Sequence, residues 1–183
     1  MNPKKLYIIR HGQTDYNKNG MVQGRGIDAP LNKEGIRQAE LFYEKYASHP
    51  FDKIYISELQ RTFQSVEKFI DKGLHYQKLS GLDEISWGTQ EGQPFTAEAA
   101  KLYKETIQQW TEGKLSVGVS NGESPLEVMR RQQLAMETIM SAQEESQVLI
   151  CMHGRAMRIL LTWLVGQHLS EMEKVPHANL GLY

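Results

Sequence analysis

Leu6-Tyr7-Ile8-Ile9-Arg10-His11-Gly12-Gln13-Thr14 is the stretch that decides the fold, because an apolar run stops abruptly on an arginine, a histidine and a glycine. The run is partly β-branched and too short for a core helix, which predicts a β-strand. In open α/β sheets, ligands bind beyond the carboxyl ends of the strands. Arg10 and His11 are therefore expected to face a crevice, although a lone histidine at a strand end is also common as an ordinary surface residue.

The composition bounds the classes of protein that the chain can belong to. With 183 residues, it is expected to form a single domain over residues 1–183. The 21 basic and 22 acidic residues nearly balance, which argues against nucleic-acid and membrane-surface partners. The single cysteine excludes an internal disulfide, and no Cys-x-x-Cys or His-Glu-x-x-His pattern indicates a metal. Without a recognisable signal peptide or membrane span, a cytoplasmic location is expected.

The segment after the first strand, residues 15–30, is rich in Asn, Gly and Asp and shows no periodicity. It is predicted to be a loop over the strand end, the kind of segment that carries ligand contacts. Gly24-Arg25-Gly26-Ile27-Asp28-Ala29 matches the dinucleotide-binding pattern in letters only. That function is rejected, because no strand precedes the glycines and Pro30-Leu31 separates them from the next helix.

The next predicted element is a helix from Lys33 to about Ser48, with Asn32 as its N-cap. Ile36, Tyr43 and Ala47 are expected to share its buried face. A second strand is predicted over residues 52–57.

A second strand–helix unit is completed by a predicted helix over residues 58–71, which carries Arg61 in its first turn. A cation is disfavoured at a helix N-terminus, so Arg61 is expected to have an anionic partner, with a solvated arginine as the alternative. Residues 74–78 are predicted to form a third, short strand, and residues 82–92 a loop.

Residues 93–121 are predicted to form a lid insertion. A helix over residues 96–112 bears Lys101, Lys104 and Trp110, and a Gly- and Ser-containing stretch follows it. The alternative is a solvated surface helix with one aromatic residue turned inward.

The stretch Ser124-Pro125-Leu126-Glu127 predicts a helix start, with serine as N-cap, proline at the first position and glutamate closing a capping box. Leu126, Met129, Met136 and Met140 recur along one face of this helix. A methionine-rich stripe of this kind is predicted to fill the core.

The clearest buried strand is predicted over residues 147–152, and His153-Gly154-Arg155 follows it as His-Gly follows the first strand. Cys151 lies inside this strand and is expected to be a small buried residue. An amphipathic helix then ends near Gly166, and residues 179–183 resemble the start of another strand.

Strands that alternate with helices predict an α/β fold in three layers, a mostly parallel sheet with helices on both faces. The strand exits then share one edge, which brings together Arg10, His11, Arg61 and His153. Two guanidinium groups and two imidazoles without accompanying carboxylates indicate a phosphate site, and their spacing does not indicate zinc.

These motifs resemble the histidine phosphatase superfamily, also called the phosphoglycerate mutase-like family, whose signature is Arg-His-Gly with a second histidine before a glycine. Arg10-His11-Gly12-Gln13-Thr14 matches the opening motif, and His153-Gly154 supplies the second histidine. The other matching positions are Asn17, Gln23-Gly24-Arg25, Asp28, Pro30-Leu31, Gly35, residues 57–62, Leu82, Glu84, Gly88, Glu91-Gly92, residues 122–124, Arg131 and Arg158.

The resemblance implies a two-step phosphoryl transfer. His11 would attack phosphorus and become a phosphohistidine, for which its outward ring nitrogen must be unprotonated. Arg10, Arg61 and His153 would stabilise charge on the phosphoryl oxygens. Glu84 is the candidate acid for the leaving group and the candidate base for water, with a turn-capping role as its alternative. No cofactor is implied.

The resemblance also implies a set of substrate-binding residues, in which Asn17 adds a neutral donor. The set is Arg10, Asn17, Gln23, Gly24, Arg61, His153 and Gly154. Arg155 stands where the family leads us to expect a small or amide residue, and it either reaches the substrate or points outward. No role is assigned to the other histidines, His49, His75, His168 and His177.

The function implied is a metal-independent phosphomonoesterase acting on a small phosphorylated metabolite. The alternatives are a cofactor-dependent phosphoglycerate mutase and a non-catalytic phospho-ligand-binding protein. Mutases of the family have a longer and more basic segment after the acid, whereas residues 93–121 offer only Lys101, Lys104 and Lys114. The sequence leaves open the natural substrate, the oligomeric state and whether a further strand follows Tyr183.

Overall fold

A computed structural model describes residues 3–94 and 96–183. The strands are β1 (Lys5–Arg10), β2 (Lys53–Ile56), β3 (Tyr76–Lys78) and β4 (Gln147–Met152). The α-helices are α1 (Asp15–Lys18), α2 (Lys33–Tyr46), α3 (Gln60–Asp71), α4 (Ala97–Thr111), α5 (Pro125–Ser141) and α6 (Gly154–Leu164). Short 3₁₀ helices cover Ser80–Leu82, Gly88–Gln90 and Leu169–Lys174.

The four strands form a sheet in the order β1-β4-β2-β3, and every pairing is parallel. Parallel neighbours require crossovers, and the helices between the strands supply them. The most buried strand in the sequence, β4, lies in the interior of the sheet between β1 and β2. The predicted α/β fold is confirmed.

Alternate residues of the strands face two separate cores. Ile8 and Ile150 belong to the core packed against α5 and α6, while Ile9 and Cys151 belong to the core packed against α2 and α3. This alternation is the period of two that a strand imposes on its side chains. Helices therefore cover both faces of the sheet, as predicted, and Cys151 is buried as expected.

The loop predictions were wrong in detail. Residues 15–30 contain α1, a single turn with Thr14 as its N-cap and a capping box closed by Asn17. The predicted loop over residues 82–92 includes the turn Gly88–Gln90, and the turn Leu169–Lys174 was not predicted. Such short turns lack the hydrophobic periodicity that identifies longer helices.

The predicted buried face of α2 was wrong at Ile36 and Ala47 and right at Tyr43, which packs against the core. Ile36 is 51% exposed and Ala47 is also exposed, whereas Ala39 and Phe42 are buried. The face is rotated because Gly35 packs against the backbone of the stretch after β1. This contact turns Gly35, rather than its neighbour Ile36, toward the protein.

The methionine stripe of α5 fills the core only in part. Met136 is buried, Leu126 and Met129 are half-buried, and Met140 is 51% exposed. The capping box of Ser124 and Glu127 is present, as predicted.

The C-terminal segment completes the sheet edge beside β1. Tyr183 exchanges two backbone hydrogen bonds with Ile8, each 2.9 Å, and Leu180 donates to the carbonyl oxygen of Arg10. Ile9 and Leu182 form an antiparallel bridge. Residues 179–183 were predicted to start a strand; they instead form isolated bridges to β1, at Asn179 and Leu182, and these bring the segment to the exit of β1. None of the helices in the described ranges combines the length and the apolar character needed to cross a bilayer.

Candidate active site

The register of the sheet brings two histidines together. Arg10 of β1 pairs with Met152 of β4, so His11 and His153 leave adjacent strands at the same level. Their ring centroids lie 5.1 Å apart, and both side chains are buried. Parallel pairing thus brings together two His-Gly motifs that are separated by more than half of the chain.

The hydrogen bond made by the His11 ring fixes its tautomer. Nδ1 lies 2.7 Å from the carbonyl oxygen of Gly12, which can only accept, so Nδ1 carries the hydrogen. The neutral ring therefore presents Nε2 as a free lone pair. This is the arrangement expected from the sequence for a nucleophilic imidazole.

The surroundings keep His11 neutral. Burial lowers the pKa of His11 well below its ordinary value, and the positive charges of Arg61 and Arg10 lower it further. The hydrogen bond to Gly12 acts in the opposite direction and is the weaker effect.

Close backbone packing holds the segment of His11 in place. A Cβ on Gly12 would lie 2.7 Å from the carbonyl oxygen of Gly35, so only glycine permits this approach. The Gly12 N–H donates to Ser65 Oγ at 2.9 Å, and Asn179 Nδ2 donates to the His11 carbonyl oxygen at 2.7 Å. The main chain on both sides of the imidazole is thus anchored.

Arg61 and His153 are hydrogen-bonded to each other beneath His11. Arg61 Nε donates to His153 Nδ1 at 3.1 Å, so in the neutral ring His153 Nε2 carries the hydrogen and donates to Ser57 Oγ at 2.8 Å. Burial lowers the pKa of His153 well below its ordinary value, and Arg61 and His11 add to that effect.

The Arg61 guanidinium is fully buried and also donates to the carbonyl oxygens of Ile27 and Gly24. Burial lowers the pKa of Arg61 to about 10, against the opposing effects of Glu84 and other carboxylates. It therefore remains a cation at neutral pH. Three of its five N–H groups have protein acceptors, and the other two have none among the described residues.

The Arg10 guanidinium lies across the first turn of α6. A Cβ on Gly154 would lie 3.2 Å from Arg10 Nε, so the glycine makes room for the arginine. Arg10 NH1 donates to the carbonyl oxygen of His177 at 2.9 Å, while Arg10 Nε is buried without a partner among the described residues.

Glu84 binds the N-terminus of α6. Its two carboxylate oxygens accept hydrogen bonds from the backbone N–H groups of Ile85, Arg155 and Ala156 at 2.8 to 3.0 Å. A carboxylate is favoured at this end of a helix. The position of Glu84 is compatible with both roles considered for it, capping and acid–base catalysis. It caps a helix and also lines the cavity that contains His11.

The cavity has a volume of about 420 Å³ and is the size of a site for a small organic ligand. Its described lining consists of Arg10, His11, Gln13, Asn17, Gly20, Met21, Val22, Gln23, Glu84, Trp87, Tyr103, Gly154, Arg155, His177 and Asn179. No three His, Cys, Asp or Glu side chains in residues 3–94 and 96–183 are grouped as metal ligands.

The family model described as histidine phosphatase superfamily (branch 1) matches residues 6–183. The chain belongs to this superfamily. A Yersinia pestis relative named probable phosphoglycerate mutase GpmB is 32% identical over 166 residues, which covers 88% of this chain and 75% of the relative.

Solved structures share the fold of this chain. The α-ribazole phosphatase of Shigella flexneri has a TM-score of 0.84 at 23% identity, with 97% of this chain and 87% of that chain covered. A mycobacterial glucosyl-3-phosphoglycerate phosphatase in complex with VO3 has a TM-score of 0.83 at 23% identity, with 97% of this chain and 90% of that chain covered.

Some of the remaining predicted substrate contacts line the cavity, and others lie outside its described lining. Asn17 and Gln23 line the cavity, and Gln23 Nε2 is buried without a partner among the described residues. The Gly24 backbone packs against Glu91 and accepts a hydrogen bond from Arg61. Gly24 therefore lies against Arg61 and is absent from the described cavity lining, as are Arg61 and His153.

Several cavity residues were missed or left undecided by sequence reasoning. His177 and Asn179 come from the C-terminal segment, whose pairing with β1 is the signal that places them here. Arg155 does not point outward, since it is buried and donates to Tyr103 and Glu173. Tyr103 of α4 is the residue that segment 93–121 adds to the described lining.

We expect acid to destabilise the folded protein through His11 and His153. Both have a folded-state pKa below the unfolded value, so the unfolded chain binds the extra protons. The free energy of unfolding therefore has its full value when the pH is above the unfolded-state pKa of about 6.5. As the pH drops below that pKa, it decreases by at most about 1.4 kcal/mol per pH unit for each histidine. Urea unfolding between pH 7.5 and pH 5 measures the slope. In His11→Gln the slope should be smaller; an unchanged slope would contradict this explanation.

Proposed function

We propose that the protein is a metal-independent phosphomonoesterase that hydrolyses a small phosphorylated metabolite through a phosphohistidine at His11. The observation that carries this proposal is the hydrogen bond from His11 Nδ1 to Gly12, which leaves Nε2 unprotonated beside the Arg10 cation. A ring held neutral in a cationic cavity is suited to attack an anionic phosphoryl group.

The proposed reaction has two steps. In the first, the lone pair of His11 Nε2 forms the N–P bond as the P–O ester bond breaks, and the departing alkoxide takes a proton from Glu84. In the second, Glu84 takes a proton from water, the hydroxide oxygen attacks phosphorus and the N–P bond breaks. The products are the alcohol and inorganic phosphate, and His11 and Glu84 return to their starting states.

The arginines supply the charge stabilisation that the reaction needs. Arg10 uses one of its five N–H groups on the protein and Arg61 uses three, so six remain for phosphoryl oxygens. His153 joins them when a phosphate dianion replaces Arg61 at Nδ1, because the added negative charge favours a proton there. Preorganised donors of this kind are the main source of catalysis in phosphoryl transfer.

Glu84→Gln should slow substrates according to their leaving groups. For an alkyl phosphate, kcat/KM should fall by about 10²- to 10⁴-fold, since the alkoxide needs a proton. For 4-nitrophenyl phosphate the loss should be much smaller, because its leaving group is stable as an anion. The measurement is steady-state kinetics on both substrates with each enzyme.

A purely helix-capping role of Glu84 predicts a different result in this test. Glutamine keeps one acceptor oxygen for the start of α6 but loses the other. If Glu84 only stabilises the helix, both substrates should lose activity by the same factor. Glu127→Gln, which alters the capping box of α5 outside the described cavity lining, serves as the matched control.

A mutase is the second candidate function, and the 32% identity to a probable phosphoglycerate mutase favours it. A mutase must hold a second anionic group of its intermediate. Lys101 and Lys104 on α4 are exposed, and Lys114 pairs with Glu112, so the described cavity lining has no lysine from this segment. This favours hydrolysis. With 3-phosphoglycerate, phosphate release supports the phosphatase, and isomerisation that depends on bisphosphoglycerate supports the mutase.

The deciding experiment is hydrolysis of 4-nitrophenyl phosphate, followed by a panel of phosphorylated metabolites. The panel includes α-ribazole phosphate and glucosyl-3-phosphoglycerate, because an α-ribazole phosphatase and a glucosyl-3-phosphoglycerate phosphatase share this fold. Activity should persist in EDTA if the reaction is metal-independent. If wild type is as inert as His11→Ala toward the whole panel but still binds orthovanadate, a phospho-ligand-binding protein becomes the better conclusion.

A further inference from the structure

The ring of His177 lies at the wall of the cavity, next to the groups that surround the phosphoryl site. Its Cδ2 would lie 2.9 Å from a Cβ on Gly154, and Arg10 Nε would lie 3.2 Å from the same point. The backbone carbonyl oxygen of His177 accepts a hydrogen bond from Arg10 NH1. His177 is therefore attached to Arg10 by its main chain, while its side chain lines the cavity.

The hydrogen bond at the other side of the ring sets the tautomer of His177. Arg158 NH2 lies 3.3 Å from Nδ1, and an arginine can only donate, so Nδ1 is the acceptor. The neutral ring consequently carries its hydrogen on Nε2, the atom bonded to Cδ2 and on the same edge of the ring. Burial and the charges of Arg158 and Arg10 lower the pKa of His177 to about 4, so the ring is neutral at pH 7.

Two donors on this side of the cavity lack protein acceptors in the part of the chain that the structure describes. His177 Nε2 has no hydrogen-bond partner there, and Arg10 Nε is buried without one. Both adjoin the space that Gly154 leaves open. Arg10 Nε is the buried one of the two, and a buried donor left unpaired is costly unless a ligand accepts from it.

We propose that His177 is a substrate-contacting residue, donating a hydrogen bond from Nε2 to a phosphoryl oxygen that Arg10 Nε also contacts. This inference rests on the proposed function, because it takes the cavity to be a phosphoryl site. A neutral donor fits this position, since a fourth positive charge would be repelled by Arg10, Arg155 and Arg158. An anionic oxygen is the acceptor that suits both the arginines and the imidazole N–H.

The test compares His177→Phe, which keeps a ring without a donor, with His177→Gln, which restores an N–H donor. The backbone contact to Arg10 survives in both variants, so they isolate the side chain. His75→Phe, at an exposed histidine outside the described cavity lining, is the matched control. The measurements are kcat/KM with 4-nitrophenyl phosphate and the dissociation constant of orthovanadate from calorimetry.

His177→Phe should lose about 10- to 100-fold in kcat/KM and in orthovanadate affinity, the effect of one hydrogen bond to a charged group. His177→Gln should recover most of both losses. Wild-type values for His177→Phe, or equal losses in the two variants, would overturn the proposal. Wild-type enzyme without turnover would refute the proposed function instead, and the orthovanadate comparison would still decide whether His177 contacts the anion.

Discussion

Replacing His11 with alanine is expected to lower kcat/KM by about 10⁴-fold or more. The variant lacks the only group proposed to bond to phosphorus, and loss of a covalent nucleophile typically has an effect of this size. Hydrolysis of 4-nitrophenyl phosphate measures it.

Two controls separate this loss from damage to the fold. His11→Ala keeps the cations, so it should still bind orthovanadate and unfold cooperatively in urea. The exposed His75→Ala should retain wild-type kinetics. A His11→Ala enzyme with a few per cent of wild-type activity would rule out the imidazole as nucleophile.

Arg61→Met is expected to lose about 10³- to 10⁵-fold in kcat/KM, as when the charge-stabilising arginine of a phosphoryl-transfer site is removed. Methionine approximates the length of the side chain but brings no charge. Because the positive charge of Arg61 lowers the pKa of His11, its removal should raise that pKa. His11 must be unprotonated to react, so the acid limb of the residual kcat/KM profile should move to higher pH.

Arg61→Met should also be less stable, because the carbonyl oxygens of Ile27 and Gly24 lose their donor. An unpaired buried carbonyl costs about 1–3 kcal/mol, which urea unfolding would detect. Arg61→Lys keeps the positive charge but lacks the planar guanidinium group with its several N–H donors. Its free energy of unfolding should lie between those of wild type and Arg61→Met. Arg37→Met, at an exposed arginine of α2, is the control. An unchanged acid limb in Arg61→Met would contradict the electrostatic coupling to His11.

The sequence predicted the parts of the site that follow strands. An apolar run fixes a strand, parallel strands end at one edge, and His11 and His153 each come directly after such a run. Their proximity therefore needed only the α/β pattern. That β4 pairs directly with β1, with Arg10 opposite Met152, was not readable, because strand order depends on how the helices pack.

The parts that the sequence did not predict depend on long-range packing. His177 reaches the cavity only because the C-terminal segment pairs antiparallel with β1, and a five-residue strand signal does not specify its partner. The predicted face of α2 was wrong at Ile36 because the backbone contact between Gly35 and Gln13 outweighs the hydrophobicity of Ile36. Periodicity identifies the helix but does not fix its rotation when a glycine makes the closest contact.

Glu84 illustrates a different limit. The sequence offered either a capping role or an acid–base role, and the carboxylate caps α6 while also lining the cavity. One residue can serve both roles because α6, which begins after His153, starts at the wall of the cavity. A residue that holds this N-terminus is thereby brought close to the substrate.

Trapping the covalent intermediate tests the central claim most directly. Wild-type enzyme mixed with an excess of 4-nitrophenyl phosphate and quenched in alkali, which preserves phosphohistidine, should carry one phosphoryl group on the peptide that contains His11, at Nε2. The group should be lost in acid and absent from His11→Ala. An enzyme that turns over under the same conditions without a phosphorylated His11, or with the label on His153, would contradict the account.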